Sequence, residues 1–343
     1  MPSNNRIFYA IYAVGIAKES TNVYTAIHGL QSVGITTTFN LERVSEIGQL
    51  EIYQNVENVP DIEVTLEKVI DGYIPIYLLA TTTGTSQSLS GRQNAKCNLA
   101  MSIFGDTQDS ASGTPITQCE MSGMYISALN YTFPVDGNFT ENVTMVGTSK
   151  LWKSSAYSFT GNLFVNTDQP LSLTSGTGGV QRRQNLLYTG ANYTILPGGP
   201  NNIPGISTSG TNDKIADVYG AHVQRISVAT NLGRTPIFEL GRRLYYFRYI
   251  EFPVEVTCEI EVLDIGGDQI SATEAGILGS GLNVNDKQIR IKCEEGLVLD
   301  LGLKNKLQSV TWGNAGADGG NATATYSYKN FNSLSVSHPQ SPL

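Results

Sequence analysis

A segment near the start of this chain recurs near its end at almost constant spacing. His28, Gln31, Val33, Ile35, Glu46, Ile47, Gly48, Pro60, Glu63, Val64 and Thr65 are answered by His222, Gln224, Ile226, Val228, Glu239, Leu240, Gly241, Pro253, Glu255, Val256 and Thr257. The offset falls from 194 at the histidines through 193 at the glycines to 192 at the threonines, which is the drift of small loop adjustments. Downstream, the turn Asp136-Gly137-Asn138 matches Asp318-Gly319-Gly320 at an offset of 182, so the first copy carries a longer internal loop. A duplication of this kind predicts two domains of one fold and a function that doubled domains can serve. The boundaries it sets are residues 1–165 for the first domain, a Gly/Pro/Asn-rich linker or arm over 166–212, and residues 213–343 for the second.

The pattern within each copy is that of strands. Val254, Val256, Cys258, Ile260 and Val262 alternate with Glu255, Thr257, Glu259 and Glu261; Ile62, Val64 and Leu66 alternate with Glu63, Thr65 and Glu67. Period two with an acidic or hydroxyl second face means a strand with one side buried. Further alternating runs precede each of these, at Val33–Thr37 and Ile226–Thr230, and others flank the two Asp-Gly turns. Helical periodicity is confined to short turns at residues 40–44 and 273–277. The fold class expected is all-β, two tandem sandwich-like or half-barrel domains with short helices and long loops, of which Thr81–Gly91 is one.

Composition narrows the function. Charged residues make up 15% of the 343, and the net charge of −8 leaves no basic patch longer than Arg182-Arg183 or Arg242-Arg243, which disfavours ordinary nucleic-acid binding. No apolar run is long enough for a membrane-spanning helix, and no membrane partner is expected. The four cysteines, Cys97, Cys119, Cys258 and Cys293, lack the spacing of a zinc site and read as small buried hydrophobes. His28 and His222 duplicate one another ahead of a strand, which suits a structural role better than a catalytic one. No nucleotide-binding, zinc-protease or nucleophile-elbow motif occurs, and neither catalytic residue, cofactor nor metal is expected.

The runs Gln31–Ile35, Ser45–Gly72 and Tyr131–Gly147 resemble tail tube proteins of long-tailed bacteriophages, and the second copy shares the likeness through the repeat. The resemblance implies a sandwich or half-barrel whose inner sheet joins others into a ring, with loops and arms contacting the rings above and below. It further implies a non-enzymatic structural subunit of the virion tail, self-assembled in the host cytoplasm into a channel for genome ejection. Its partners would be copies of itself, then tail sheath, baseplate or tail-terminator proteins, with double-stranded DNA passing through unbound by sequence. The doubled domain departs from the usual single-domain pattern.

That departure is intelligible by magnitude. A ring of ~24 strands at ~4.8 Å has a perimeter near ~115 Å and a diameter of ~37–45 Å once tilt is included, enough for a duplex. If each domain gives four strands, three chains close a pseudo-hexameric ring. Glu63, Glu67, Glu255, Glu259 and Glu261 would then face the lumen and repel phosphates. Two other readings compete: a tail-terminus or baseplate hub ring of the same fold, and a carbohydrate-binding receptor module using Tyr9, Tyr12, Tyr188 and Tyr193.

Overall fold

The computed structural model describes residues 7–19, 24–81, 84–89, 95–105, 115–154, 179–187, 223–263, 289–313 and 320–339. The fold is all-β, as the alternating patterns predict. The first half supplies β1 (Tyr12–Lys18), β2 (Thr25–Ala26), β3 (Leu30–Thr38), β4 (Leu41–Ser45), β5 (Ile52–Glu57), β6 (Asp61–Val69), helix α1 (Ile76–Thr81), β7 (Ser86–Ser88), β8 (Cys97–Ile103), β9 (Thr117–Pro134), β10 (Thr140–Gly147) and β11 (Ser149–Ser154). After β12 (Leu186–Leu187), the second half supplies β13 (Val223–Asn231), β14 (Arg234–Ile237), β15 (Phe247–Ile250), β16 (Glu255–Leu263), β17 (Arg290–Cys293), β18 (Val298–Asp300), β19 (Lys306–Gly313), β20 (Thr323–Phe331) and β21 (Ser335–Ser337).

Eight strands form one antiparallel sheet in the order β3-β6-β10-β9-β13-β16-β20-β19. Four neighbours come from each half, and both quartets run in the same internal order. Their irregularities coincide too. Gln31 is the extra residue of a bulge in β3 against β6, and Gln224 is the extra residue in β13 against β16. Ser127 bulges from β9 against β10, and Gln308 bulges from β19 against β20. A bulge re-aims a strand and is a designed feature, so two shared bulges fix the register between the quartets. The offset is 224 − 31 = 193 on the first strands and 308 − 127 = 181 on the last. The ladders set the middle strands at 194, because Glu67 opposes Ser32 while Glu261 opposes Arg225. Sequence matching gives 192 there. It follows the repeated Glu-Val-Thr, whereas the backbone follows hydrogen bonding; a two-residue slip leaves every side chain on its face.

One face of the sheet is apolar because the strands alternate. Ile62, Val64 and Leu66 on β6, and Val256, Cys258, Ile260 and Val262 on β16, are buried in one continuous core spanning both halves. Opposite them stand β1, β8, α1 and a smaller sheet in the order β12-β17-β18-β21-β7. All four cysteines are free and buried. The strand β9 is long enough to serve two layers: its first part pairs with β8 and β11 and its second part with β10 and β13. At the crossover Gly147 lies against Met124: a Cβ there would fall 2.2 Å from its Sδ, so the Met side chain would have to move.

Two local expectations differ from the structure. Residues 41–45 form β4 rather than a turn of helix, because pairing with β5 satisfies a segment too short to nucleate a helix alone; residues 273–277 lie outside the described residues. The helix instead occupies Ile76–Thr81, held by Glu141, whose carboxylate accepts the amides of Ile76 at 2.7 Å and Tyr77 at 3.1 Å. These are orphan donors of a helix start, and the anion is well placed against them. Within the stretches expected to be loop or linker, two pieces are packed. Residues Ser86–Ser88 form β7 on the edge of the smaller sheet, beside β21. Residues 179–187 run between the halves: the Gln181 amide donates to Ile70 O, Phe139 donates to Gln181 O, and Asn185 Nδ2 donates to Glu294. The remainder of 166–212 lies outside the described residues.

A polar cluster is sealed at this junction. Lys68 and Asp71 form an ion pair, Tyr131 donates to Glu141 at 2.9 Å, and Glu295 is fully buried beside them with neither oxygen hydrogen-bonded among the described residues. Burial pushes the Glu295 carboxyl up to about 8. Its folded-state pKa therefore exceeds the ordinary carboxylate value of about 4.3. The protonated form is favoured by folding, so stability is greatest at acidic pH and is lost as pH rises toward 8. Glu295→Gln is expected to raise the melting temperature at pH 8 and to flatten its fall between pH 5 and 8; calorimetry at both pH values checks this.

Candidate assembly interface

The face of the large sheet opposite the core is open and polar. Across the ladders it carries Ser32, Gly34 and Thr36 on β3; Glu63, Thr65 and Glu67 on β6; Asn142 and Thr144 on β10; Asn130 and Thr132 on β9. In the second half it carries Arg225, Ser227 and Ala229 on β13; Glu255, Thr257, Glu259 and Glu261 on β16; Thr325, Ser327 and Lys329 on β20. All five glutamates singled out in the sequence therefore share one face, in two rows on β6 and β16. Those rows lie four strand spacings apart, about 19 Å. The second row is partly neutralised: Arg225 stands opposite Glu261, and Lys329 Nζ lies 2.6 Å from Glu255 Oε2. Short side chains fill most of the rest, with Val146 opposite Glu63 and the exposed Phe331 opposite Glu255 where β16 begins.

The two quartets meet at β9 and β13, and this seam contains the densest set of contacts between the halves. The ladder pairs Ser227 with Thr132, Val228 with Tyr131, Ala229 with Asn130, Thr230 with Leu129 and Asn231 with Ala128. It extends beyond the strands, with Val135 N donating to Gln224 O at 2.8 Å and Leu232 N to the bulge carbonyl of Ser127 at 2.7 Å. Under it, Ile226, Val228, Leu129 and Tyr131 are sealed from water. Hairpin β14–β15 leans across the seam. Arg234 Nε donates to Ile126 O at 2.8 Å with its guanidinium 5.0 Å from the Tyr125 ring centre, Phe247 meets the same ring edge to face, and Arg248 pairs with Asp61. Burial lowers the Arg234 guanidinium to about 10, still charged at neutral pH.

At the outer edges the same elements lack these partners. Among the described residues β3 pairs only with β6, and β19 only with β20. By the bulge-anchored offsets, Val33 and Ile35 on β3 stand where Ile226 and Val228 stand on β13; Val310 and Trp312 on β19 stand where Leu129 and Tyr131 stand on β9. The seam residues are at most 2% exposed, whereas Trp312 is 37% exposed and Val33, Ile35 and Val310 are half-buried. A groove of about 1110 Å³ opens beside β3, lined by Tyr12, Ala26, Val33, Ile35, Met101 and Trp152. Long uncovered edges with apolar flanks invite another strand.

Sequence reasoning identified the glutamate face and missed the seam and the edges. Nothing in the alternation of β9 or β13 says which strand each will pair with; the repeated glutamines, Gln31 and Gln224, were the one legible trace of the shared bulge. Arg242-Arg243 and Tyr245-Tyr246 belong to the β14–β15 hairpin: Arg242 pairs with Glu239, Arg243 approaches Glu57 at 4.0 Å, and Tyr245 lies under Arg248. His28 stacks on Tyr73, while His222 lies outside the described residues. Of the tyrosines considered for sugar stacking, Tyr9 is exposed, Tyr12 is half-buried along the groove, and Tyr188 and Tyr193 lie outside the described residues.

No family model and no curated protein matches the chain. Solved structures do match: a chain of the six-fold symmetrised baseplate of the anti-feeding prophage, at 10% identity and TM-score 0.34 over 45% of this chain and all of that one; a chain of the tube-terminating cap of the same prophage, at 11% and 0.33 over 45% and 95%; and a chain of the sheath–tube complex of an extracellular contractile injection system, at 14% and 0.31 over 44% and 93%. These structural neighbours are components of phage-tail-like injection assemblies.

Removal of the Asp61 carboxylate leaves the buried Arg248 cation without its ion partner, and an uncompensated charge costs more than the pair contributes. Because Asp61 is half exposed, the expected destabilisation of Asp61→Asn is about 1–2 kcal/mol, measured by chemical denaturation. Asn231→Ala, at the exposed end of the β9–β13 ladder, removes only the oxygen that accepts Gly233 N at 2.9 Å and is expected to cost no more than about 1 kcal/mol.

Proposed function

We propose that the protein is a non-enzymatic structural subunit of a tail-tube-type assembly, in which three copies close a ring of eight strands each. The observation that carries this reading is the β9–β13 seam: the chain already joins two similar quartets edge to edge, and its free edges β19 and β3 are the unpaired counterparts of the two seam strands. Repeating the seam between chains pairs Gly34 with Gly313, Ile35 with Trp312, Thr36 with Thr311, Thr37 with Val310 and Thr38 with Ser309 of the next copy. Three such junctions and three internal seams give pseudo-sixfold symmetry, and each quartet counts as one tube domain. Half-exposed Val33, Ile35, Val310 and Trp312 would be buried, each contributing about 1 kcal/mol or more. Mass measurement of the isolated ring is expected to give three chains; six chains per ring, or a stable monomer at high concentration, contradicts the reading.

The apolar face is occupied by the core, so closure of the sheet turns the polar face inward. Glu63, Glu67, Glu259 and Glu261 then line the lumen, with Glu255 at its rim where β16 begins. A conduit for a polyanion works best when it offers no phosphate a cation to hold, and the acidic rows keep a duplex centred. Replacing Glu63, Glu67, Glu259 and Glu261 by lysine leaves the buried faces of β6 and β16 intact. Tubes of the substituted protein are expected to retain duplex DNA at low salt and release it as salt rises, with the steep dependence of counterion release. Retention unchanged from the parent tubes would put this face on the outside.

A further inference from the structure

Among the described residues the hairpin β4–β5 is only lightly held by its own chain: Glu57 stands 4.0 Å from Arg243, and both side chains are exposed. Phe39, Leu41, Ile52 and Tyr53 are all at least half exposed, and every residue of both strands faces solvent. Its counterpart in the second half, β14–β15, is lodged against the first half by buried Arg234 and Arg248. The two hairpins correspond at the offset of 193: each follows a quartet's first strand, and each tip holds a glycine in the left-handed region, Gly48 at φ 98° and Gly241 at φ 83°. Their cations correspond as well. Arg248 stands opposite Pro236 on the ladder of β14–β15, and Arg43 stands opposite Asn55 at the same rung of β4–β5. Directly opposed residues of an antiparallel pair share a face, so the cation has changed strand and kept its side.

The receiving carboxylate is kept too. Asp61 opens β6 and accepts Arg248; at the offset of 194 its place on β16 is taken by Glu255, whose side chain is 47% exposed and bonded to Lys329 through Oε2 alone. The anchor beside it is also repeated, since Leu232 N donates to the Ser127 bulge carbonyl, and Phe39 and Gln308 occupy those positions in the outer elements. We propose that a second copy of this chain is what the free hairpin lies on: Arg43 pairs with the partner's Glu255, and Phe39 N donates to the carbonyl of the partner's Gln308. The hairpin thereby locks each inter-chain junction laterally, as β14–β15 locks the internal seam. The charge is complementary, Arg43 on one edge and a half-exposed carboxylate on the other, and the interface continues one already present inside the chain.

This inference rests on the ring reading, and a charge-reversal series separates the two. Assembly is followed by ring mass and by the concentration at which rings dissociate, with monomer melting as the control for folding. Arg43→Glu alone and Glu255→Arg alone are each expected to weaken ring association about tenfold or more, while the double reversal R43E/E255R recovers to within about threefold of the parent. Loss of the internal Lys329 contact is common to E255R and the double variant, so recovery reports the inter-chain pair. Parent rings of three chains that tolerate either single reversal, or a double reversal weaker than both singles, overturn the hairpin docking while leaving the ring intact. A parent protein that forms no ring overturns both.

Discussion

Backbone hydrogen bonding between β9 and β13 is the constraint on which the rest of this structure depends. A sheet edge presents unpaired amides and carbonyls that must find partners, and here one half of the chain satisfies the edge of the other. That single junction makes the two quartets one eight-stranded surface with one continuous core. It also moves the problem outward without removing it, since among the described residues β3 and β19 each keep one unpaired edge. The proposed inter-chain pairing would satisfy those outer edges as β9 and β13 satisfy each other within the chain.

The division of labour between faces follows from the same sheet. Apolar residues on alternate positions commit one side to the core, which leaves Thr, Ser, Asn and the glutamates of β6 and β16 on the other. The cations among the acidic rows, Arg225 and Lys329, face glutamates, and Phe331 stands opposite Glu255 where β16 begins. Buried charged residues lie where the halves meet: Arg234 and Arg248 at the β14–β15 hairpin, and Lys68, Asp71, Glu141 and Glu295 in the sealed cluster, where burial raises both glutamate carboxyls. The open face and the closed junction thus hold acidic residues in opposite ways, solvated on the one and buried in the other.

Much of the sheet was legible in the sequence because its signals are local. The alternation of Val254–Val262 states which side of β16 is buried, and the Asp136-Gly137 turn states where β9–β10 reverses. Register was legible only in part. The repeated Glu-Val-Thr suggested an offset of 192 where the ladder has 194, since a two-residue slip preserves the hydrophobic pattern and leaves no trace in it. The long-range pairings were not legible at all: that β7 of the first half closes a sheet with β21, and that residues 179–187 strap the halves together, are facts of tertiary packing. The short helix at Ile76–Thr81 depends on a carboxylate 65 residues away, which no local propensity records.

The central claim is that the internal seam is repeated between chains, and its register gives it a direct measurement. Thr36 and Thr311 occupy opposite edges of the eight-stranded sheet within one chain, too far apart to be bridged there. In the proposed junction they would stand directly opposed on the polar face, at a Cβ separation of roughly 5 Å. Oxidising assembled protein that carries both Thr36→Cys and Thr311→Cys, and sizing it without reductant, should yield a covalently closed species of three chains. Assembled rings that form no such bond, or a closed species of any other size, would contradict the account.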